Sequence, residues 1–202
     1  FAKEVKNFFG GVRVPATPAL LAQYNIPEAF PGELDGYEII TKQNVGNARI
    51  TGVEYSYKQS LFFLPSWGKN FQVFGNATML KLSGSNAADF SRYSPKIYNW
   101  GVNFARAKFS ARMNWHQRPG NRQQPAGPDP TAPTSWSASR TVVSADFEYR
   151  ITKALSLYGT ANNLTDTPVL SYRYGSTTPE YAKSTGLSVY GTDFTVGVKG
   201  SF

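Results

Sequence analysis

Few side chains in this sequence are of a type that does covalent chemistry. Asp146 and Glu148 stand two residues apart, a spacing that puts both carboxylates on one face of an extended chain and that general acid/base catalysis can use. The one histidine, His116, lies near Arg112 and Arg118, a group able to recognise an anion. The 202 residues include no cysteine, which removes thiol nucleophiles, disulfides and thiolate metal sites together. A single imidazole is too few for a histidine metal cluster or a Ser/His/Asp triad, and no phosphate loop, zinc motif or nucleophile elbow occurs. The expectation is a chain with no catalytic residue, no metal site and no cofactor.

The elements that carry these residues account for them better than catalysis does. In 141–151, Val143, Ala145, Phe147, Tyr149 and Ile151 alternate with Ser144, Asp146, Glu148 and Arg150, so the two carboxylates belong to the polar face of a strand. In 109–117, Phe109, Ala111, Met113 and Trp115 alternate with Ser110, Arg112, Asn114 and His116. The same period of two runs through 37–62, 71–82, 97–107, 155–169 and 187–202, which predicts seven long strands and an all-β chain. The register of 71–82 is weaker, because Phe74 and Leu80 fall among its polar residues. Together the polar faces collect Glu54, Lys58, Arg112, His116, Asp146, Glu148, Arg150, Asp193 and Lys199. Residues 1–36 are the least regular part, with a short helix expected at 18–24, capped by Thr17 and followed by Pro27.

Two regularities indicate the medium that the apolar faces meet. A strand of about 11 residues at ~3.3 Å each, tilted by ~45°, covers most of a bilayer's hydrocarbon thickness, whereas strands of soluble sandwiches are usually about half as long. Connections also alternate: 64–69, 106–108 and 152–154 are short, while 83–95, 118–140 and 172–186 are long, the asymmetry of outer-membrane barrels. No run approaches the ~20 apolar residues of a spanning helix. A soluble two-sheet sandwich can also expose a charged face; strand length, loop asymmetry and the aromatic Phe202 favour the membrane barrel. The net charge of +8 comes from scattered Lys and Arg without a basic cluster, so nucleic acid is not an expected partner.

Three stretches resemble the TonB-dependent receptors of the Gram-negative outer membrane: NVGNARITGVEYSYKQSL at 44–61, SADFEYRITKALSLYGTANNLTDTPV at 144–169 and YGTDFTVGVKGSF at 190–202. They are similar to that family's late strands: a Gly-hydrophobic-Glu strand, a penultimate hairpin ending in Asn-Leu-Thr-Asp, and a final strand closing on Phe. The resemblance implies that 37–202 forms the last seven antiparallel strands of a 22-stranded transmembrane β-barrel, with short periplasmic turns and long extracellular loops. Residues 1–36 then supply the end of a preceding strand and an outer loop. Seven strands cannot close alone. With no plug domain, signal peptide or TonB-binding segment in view and no initiating methionine, the expectation is a fragment of a longer polypeptide or one piece of a split protein.

Function follows from the same resemblance: uptake of a scarce nutrient, whether an iron chelate, a cobalamin or an oligosaccharide, across the bacterial outer membrane, powered through TonB. The implied partners are the rest of the barrel and its plug, the TonB complex, the barrel-assembly machinery, outer-membrane lipid and a small nutrient ligand. Phe202, Val198, Phe194 and Tyr190 take the part of the barrel-assembly signal, the nine polar-face residues above face the lumen, and Arg118, Arg122 and Trp136 are the candidate outer-loop ligand contacts. Asn162, Asn163 and Asp166 of the NNLTD motif are expected to shape the strand's exit toward the outer loop. The alternative is a barrel-derived structural protein, a scaffold or adhesin within a larger assembly.

Overall fold

A computed structural model describes residues 1–200 apart from 45, 85–89, 91, 126, 128 and 130. In chain order the strands are β1 (Ala2–Val5), β2 (Phe9–Pro15), β3 (Glu38–Asn44), β4 (Ala48–Ser60), β5 (Phe71–Gly84), β6 (Lys96–Arg106), β7 (Phe109–Arg118), β8 (Asn121–Arg122), β9 (Thr134–Ser137), β10 (Arg140–Arg150), β11 (Leu155–Asn162), β12 (Val169–Tyr174), β13 (Ser184–Ser188) and β14 (Asp193–Gly200). Helix α1 (Pro18–Gln23) lies between β2 and β3; Thr17 caps it, its hydroxyl accepting the Leu20 N–H at 3.4 Å.

Long runs rich in β-branched and aromatic residues satisfy their backbone groups by pairing edge to edge, and eight strands do so in one antiparallel sheet, ordered β1-β4-β5-β6-β7-β10-β11-β14. The register shows what this wall presents on each side. One row across it reads Phe71, Phe104, Ala111, Phe147, Gly159 and Val196. The row one residue away reads Gln72, Asn103, Arg112, Asp146, Thr160 and Thr195. Because side chains alternate across a strand, the first row belongs to a continuous apolar face and the second to a continuous polar one.

The wall has almost no interior of its own. Leu21, Ala48 and Val143 are the buried apolar residues among those described, while Tyr55, Phe194 and Val196 are 62%, 68% and 69% exposed. An apolar surface of this extent is foreign to a soluble monomer and normal for a sheet whose second layer is lipid. Among the described residues β1 bonds only to β4 and β14 only to β11, so the wall is an unclosed section of barrel.

The structure corrects several boundaries read from the sequence. The eighth strand of the wall, β1, lies within 1–36, where the end of a preceding strand was expected, and its four residues pair with β4. The run 37–62 is two elements: β3 pairs with β2 in a separate hairpin, and β4 enters the wall. Between them Gly46 takes φ +91° and donates its N–H to Asn44 Oδ1 at 3.0 Å, ending one strand before the next begins. The run 155–169 stops at Asn162, and 187–202 divides at Gly191, whose φ is +75°. The long connections 118–140 and 172–186 are not irregular: with the residues just beside them they supply a separate four-stranded sheet, β13-β12-β9-β8.

Candidate functional site

On the polar face the cross-strand register assembles side chains that lie far apart in sequence. Arg112 of β7 sits between Asn103 of β6 and Asp146 of β10, and its guanidinium lies 4.6 Å from the centre of the Phe74 ring. That contact explains an aromatic residue on a polar face: Phe74 supplies a π surface for a cation. Glu148 accepts from Lys199 Nζ at 2.7 Å across the intervening β11, and His116 Nδ1 is hydrogen-bonded to Asn99 Oδ1. A cavity of about 510 Å³ on this face is lined by Asn103, Arg112, Asp146, Glu148, Tyr158 and Lys199. Both carboxylates of the sequence pair thus stand beside cations, an arrangement suited to a hydrated, charged surface.

The loop end of the wall is held by the NNLTD motif. Asn163 and Asp166 adopt φ of +57° and +45°, conformations that Asn and Asp tolerate better than most residues. Asn163 is buried, and its side chain joins three segments: Nδ2 donates to Gly191 O at 2.9 Å, and Oδ1 accepts the Thr167 N–H at 3.0 Å. Thr192 Oγ1 donates to Asn163 O at 3.0 Å and Thr167 Oγ1 to Thr141 O at 3.0 Å, tying the corner to β14 and β10. This buried polar cluster sets the direction in which β12 leaves the wall.

Beyond that corner the small sheet forms a cleft. Trp136 of β9 and Tyr174 of β12 stack with ring centres 5.5 Å apart and planes at 14°, and Lys183 Nζ lies 5.3 Å from the Tyr174 ring centre. Arg122 of β8 pairs with Trp136 in the register. A cavity of about 370 Å³ is lined by Arg122, Asp129, Thr134, Trp136, Tyr174 and Ser176. The Thr131 hydroxyl and N–H both donate to Asp129, at 2.7 and 2.8 Å, and hold its carboxyl below the ordinary value. An aromatic platform with cation, anion and hydroxyls on its rim is equipped to bind a small polar or planar solute. No group of three or more His, Asp or Glu side chains able to hold a metal ion occurs among the described residues.

The family model described as "TonB dependent receptor-like, beta-barrel" matches residues 1–164. The chain belongs to that family. Among solved structures, the copper transporter OprC superposes with a TM-score of 0.63 at 18% identity. The ferric enterobactin receptor PfeA of Pseudomonas aeruginosa, as its G324V mutant, gives 0.59 at 17%. Both likenesses cover 100% of this chain and 28% of the other, and at this identity they establish the receptor-barrel fold. No curated protein matches the sequence.

Set on this receptor-barrel wall, the residues singled out in the sequence fall into three places. Glu54, Lys58, Arg112, His116, Asp146, Glu148, Arg150, Asp193 and Lys199 share the polar face by register. Arg122 and Trp136 meet at the outer cleft, whereas Arg118 ends β7 opposite Arg140 and does not line it. Phe194 and Val198 are on the apolar face of β14, Tyr190 is in the bend before that strand and not within it, and Phe202 lies outside the described residues. Tyr174 was missed, although the alternation in Tyr172-Arg173-Tyr174 is a strand signal inside a segment read as a polar connection.

Proposed function

We propose that this chain forms part of the wall and outward loops of an outer-membrane receptor that takes up a scarce nutrient with energy delivered through TonB. The observation that carries the reading is the wall itself, in a chain of this family: one face apolar and exposed across seven neighbouring strands, the other lined with charge. The chain spans 28% of the length of the solved receptors it matches. The plug, the TonB contact and the remaining strands are accordingly assigned to the rest of the receptor. The end bearing the long connections faces outward, the polar face lines the lumen, and Phe194, Val198 and Phe202 belong to the signal that the barrel-assembly machinery reads. The cleft of Arg122, Trp136 and Tyr174 is the part of this chain placed to meet ligand first. OprC is named a copper transporter and PfeA a ferric enterobactin receptor; for this chain the proposal extends to an iron chelate, a cobalamin or an oligosaccharide. Nothing in the comparisons favours a scaffold or adhesin.

The test is uptake of radiolabelled members of those three classes by cells making the intact receptor, with and without a protonophore. Accumulation of one class that collapses when the proton gradient is dissipated supports the reading. Entry insensitive to the protonophore describes a passive pore and overturns it.

A further inference from the structure

Charge is unevenly spread over the apolar face of the wall. The residues that β7, β10, β11 and β14 place on that face include no Lys, Arg, Asp or Glu. β4, β5 and β6, by contrast, put four cations on it: Arg106 alone at the short-turn end, and Arg49, Lys81 and Lys96 together at the end where the long connections begin. The register sets Lys81 opposite Thr51 and Lys96 opposite Met79, so Arg49, Lys81 and Lys96 are successive diagonal neighbours, about 7–8 Å apart in the usual sheet geometry. All three are exposed and, among the described residues, none is in an ion pair. Among the described residues the one carboxylate on this part of the face, Glu4 of β1, stands opposite Arg49, which leaves the two lysines in excess. Those lysines line a cavity of about 320 Å³ together with Thr51, Val53, Met79 and Pro95.

Three neighbouring cations repel one another unless an anion lies among them. On the lipid side of a barrel such residues are costly at mid-depth and nearly free at the interface, and their position at the strand ends puts them at headgroup level. Below them Val53, Ala77, Met79 and Tyr98 continue the same face toward the bilayer centre.

We propose that Lys81 and Lys96, flanked by Arg49, hold the phosphate of an anionic lipid whose chain lies along Val53, Ala77 and Met79. The ammonium groups act as point charges on the phosphate, and the guanidinium adds a fork that fits two of its oxygens. The site rests on the membrane placement proposed above, and the two fail separately: a receptor that folds normally in bilayers without lipid preference overturns the site alone.

The experiment is native mass spectrometry of the intact receptor in detergent, titrated with phosphatidylglycerol and phosphatidylcholine of equal chain length. The expected result is retention of phosphatidylglycerol about thirtyfold above phosphatidylcholine, the preference that two headgroup-level lysines supply at ~1 kcal/mol each. The preference falls to near one in the Lys81→Gln/Lys96→Gln variant. Lys81→Arg keeps it, Lys153→Gln at the opposite end of the wall leaves it unchanged, and millimolar inorganic phosphate does not displace the lipid. An undiminished preference in the double variant, an equal loss in Lys153→Gln, or displacement by inorganic phosphate alone overturns the proposal.

Discussion

Replacing Asn163 tests the corner on which the loop end of the wall depends. Alanine removes the hydrogen bonds to Gly191 O and from the Thr167 N–H, at 2.9 and 3.0 Å. Each contributes about 0.5–1.5 kcal/mol net in a typical site. It also places a residue that disfavours the left-handed region at φ +57°, a cost of roughly 1–2 kcal/mol. The sum for Asn163→Ala is about 2–5 kcal/mol. Asn163→Gly relieves the backbone term and keeps the hydrogen-bond loss, so it should cost about 1–3 kcal/mol. Asn163→Asp keeps the acceptor and a tolerant backbone, and should cost about 1 kcal/mol. The assay is urea unfolding of the intact receptor in lipid vesicles, read by gel mobility, with trypsin cleavage after Lys183 reporting local opening. The predicted order of destabilisation is Ala, then Gly, then Asp, with trypsin cleavage rising in step. Equal cost for Ala and Gly refutes the backbone argument, and changes within about 0.5 kcal/mol for all three refute the clamp, since that is the scatter of an uninvolved surface site.

Four further outcomes follow from the same structure. Trp136→Ala should weaken uptake of the transported nutrient about tenfold by removing one face of the aromatic platform, with the amount of inserted receptor unchanged; normal uptake rules the cleft out. A Cβ on Gly159 would meet the Phe147 ring at 2.3 Å, so Gly159→Val should destabilise the barrel by about 1–3 kcal/mol, and Phe147→Ala in the same chain should recover part of that loss. A double-mutant cycle on Glu148 and Lys199, whose side chains are 31% and 62% exposed, should give a coupling below about 1 kcal/mol; a larger value means that the pair is shielded from water. Because the Asp129 carboxyl is held below its ordinary value by Thr131, the stability that this contact contributes is complete above the ordinary Asp pKa and lost as pH falls through the folded value. Carboxyl-labelled receptor should therefore titrate Asp129 at lower pH than the Thr131→Ala variant, and identical midpoints would disprove the link.

The two faces of the wall were legible because each long strand repeats its alternation many times, so that one misplaced residue such as Phe74 does not hide the pattern. Corners were not. Alternation runs through Gly46 and Gly191 without a visible break, and only the backbone angles there reveal that the chain has changed sheets. The outer sheet was hidden for a different reason: β8 and β9 are two and four residues long, too short to show a period. β8 pairs with β9, and β9 is ordered by pairing with β12, about 35 positions further along. The Trp136 and Tyr174 stack is a product of that long-range pairing, so sequence offered Trp136 alone.

The most direct test of the membrane wall is an accessibility scan along β14. The chain has no cysteine, so single cysteines at 193 to 199 each carry one spin label on this part of the receptor. In bilayers the labels at Phe194, Val196 and Val198 should relax with dissolved oxygen, and those at Asp193, Thr195, Gly197 and Lys199 with a water-soluble nickel chelate, giving a period of two. Labels that all respond to the chelate, or that show no alternation, would contradict the account.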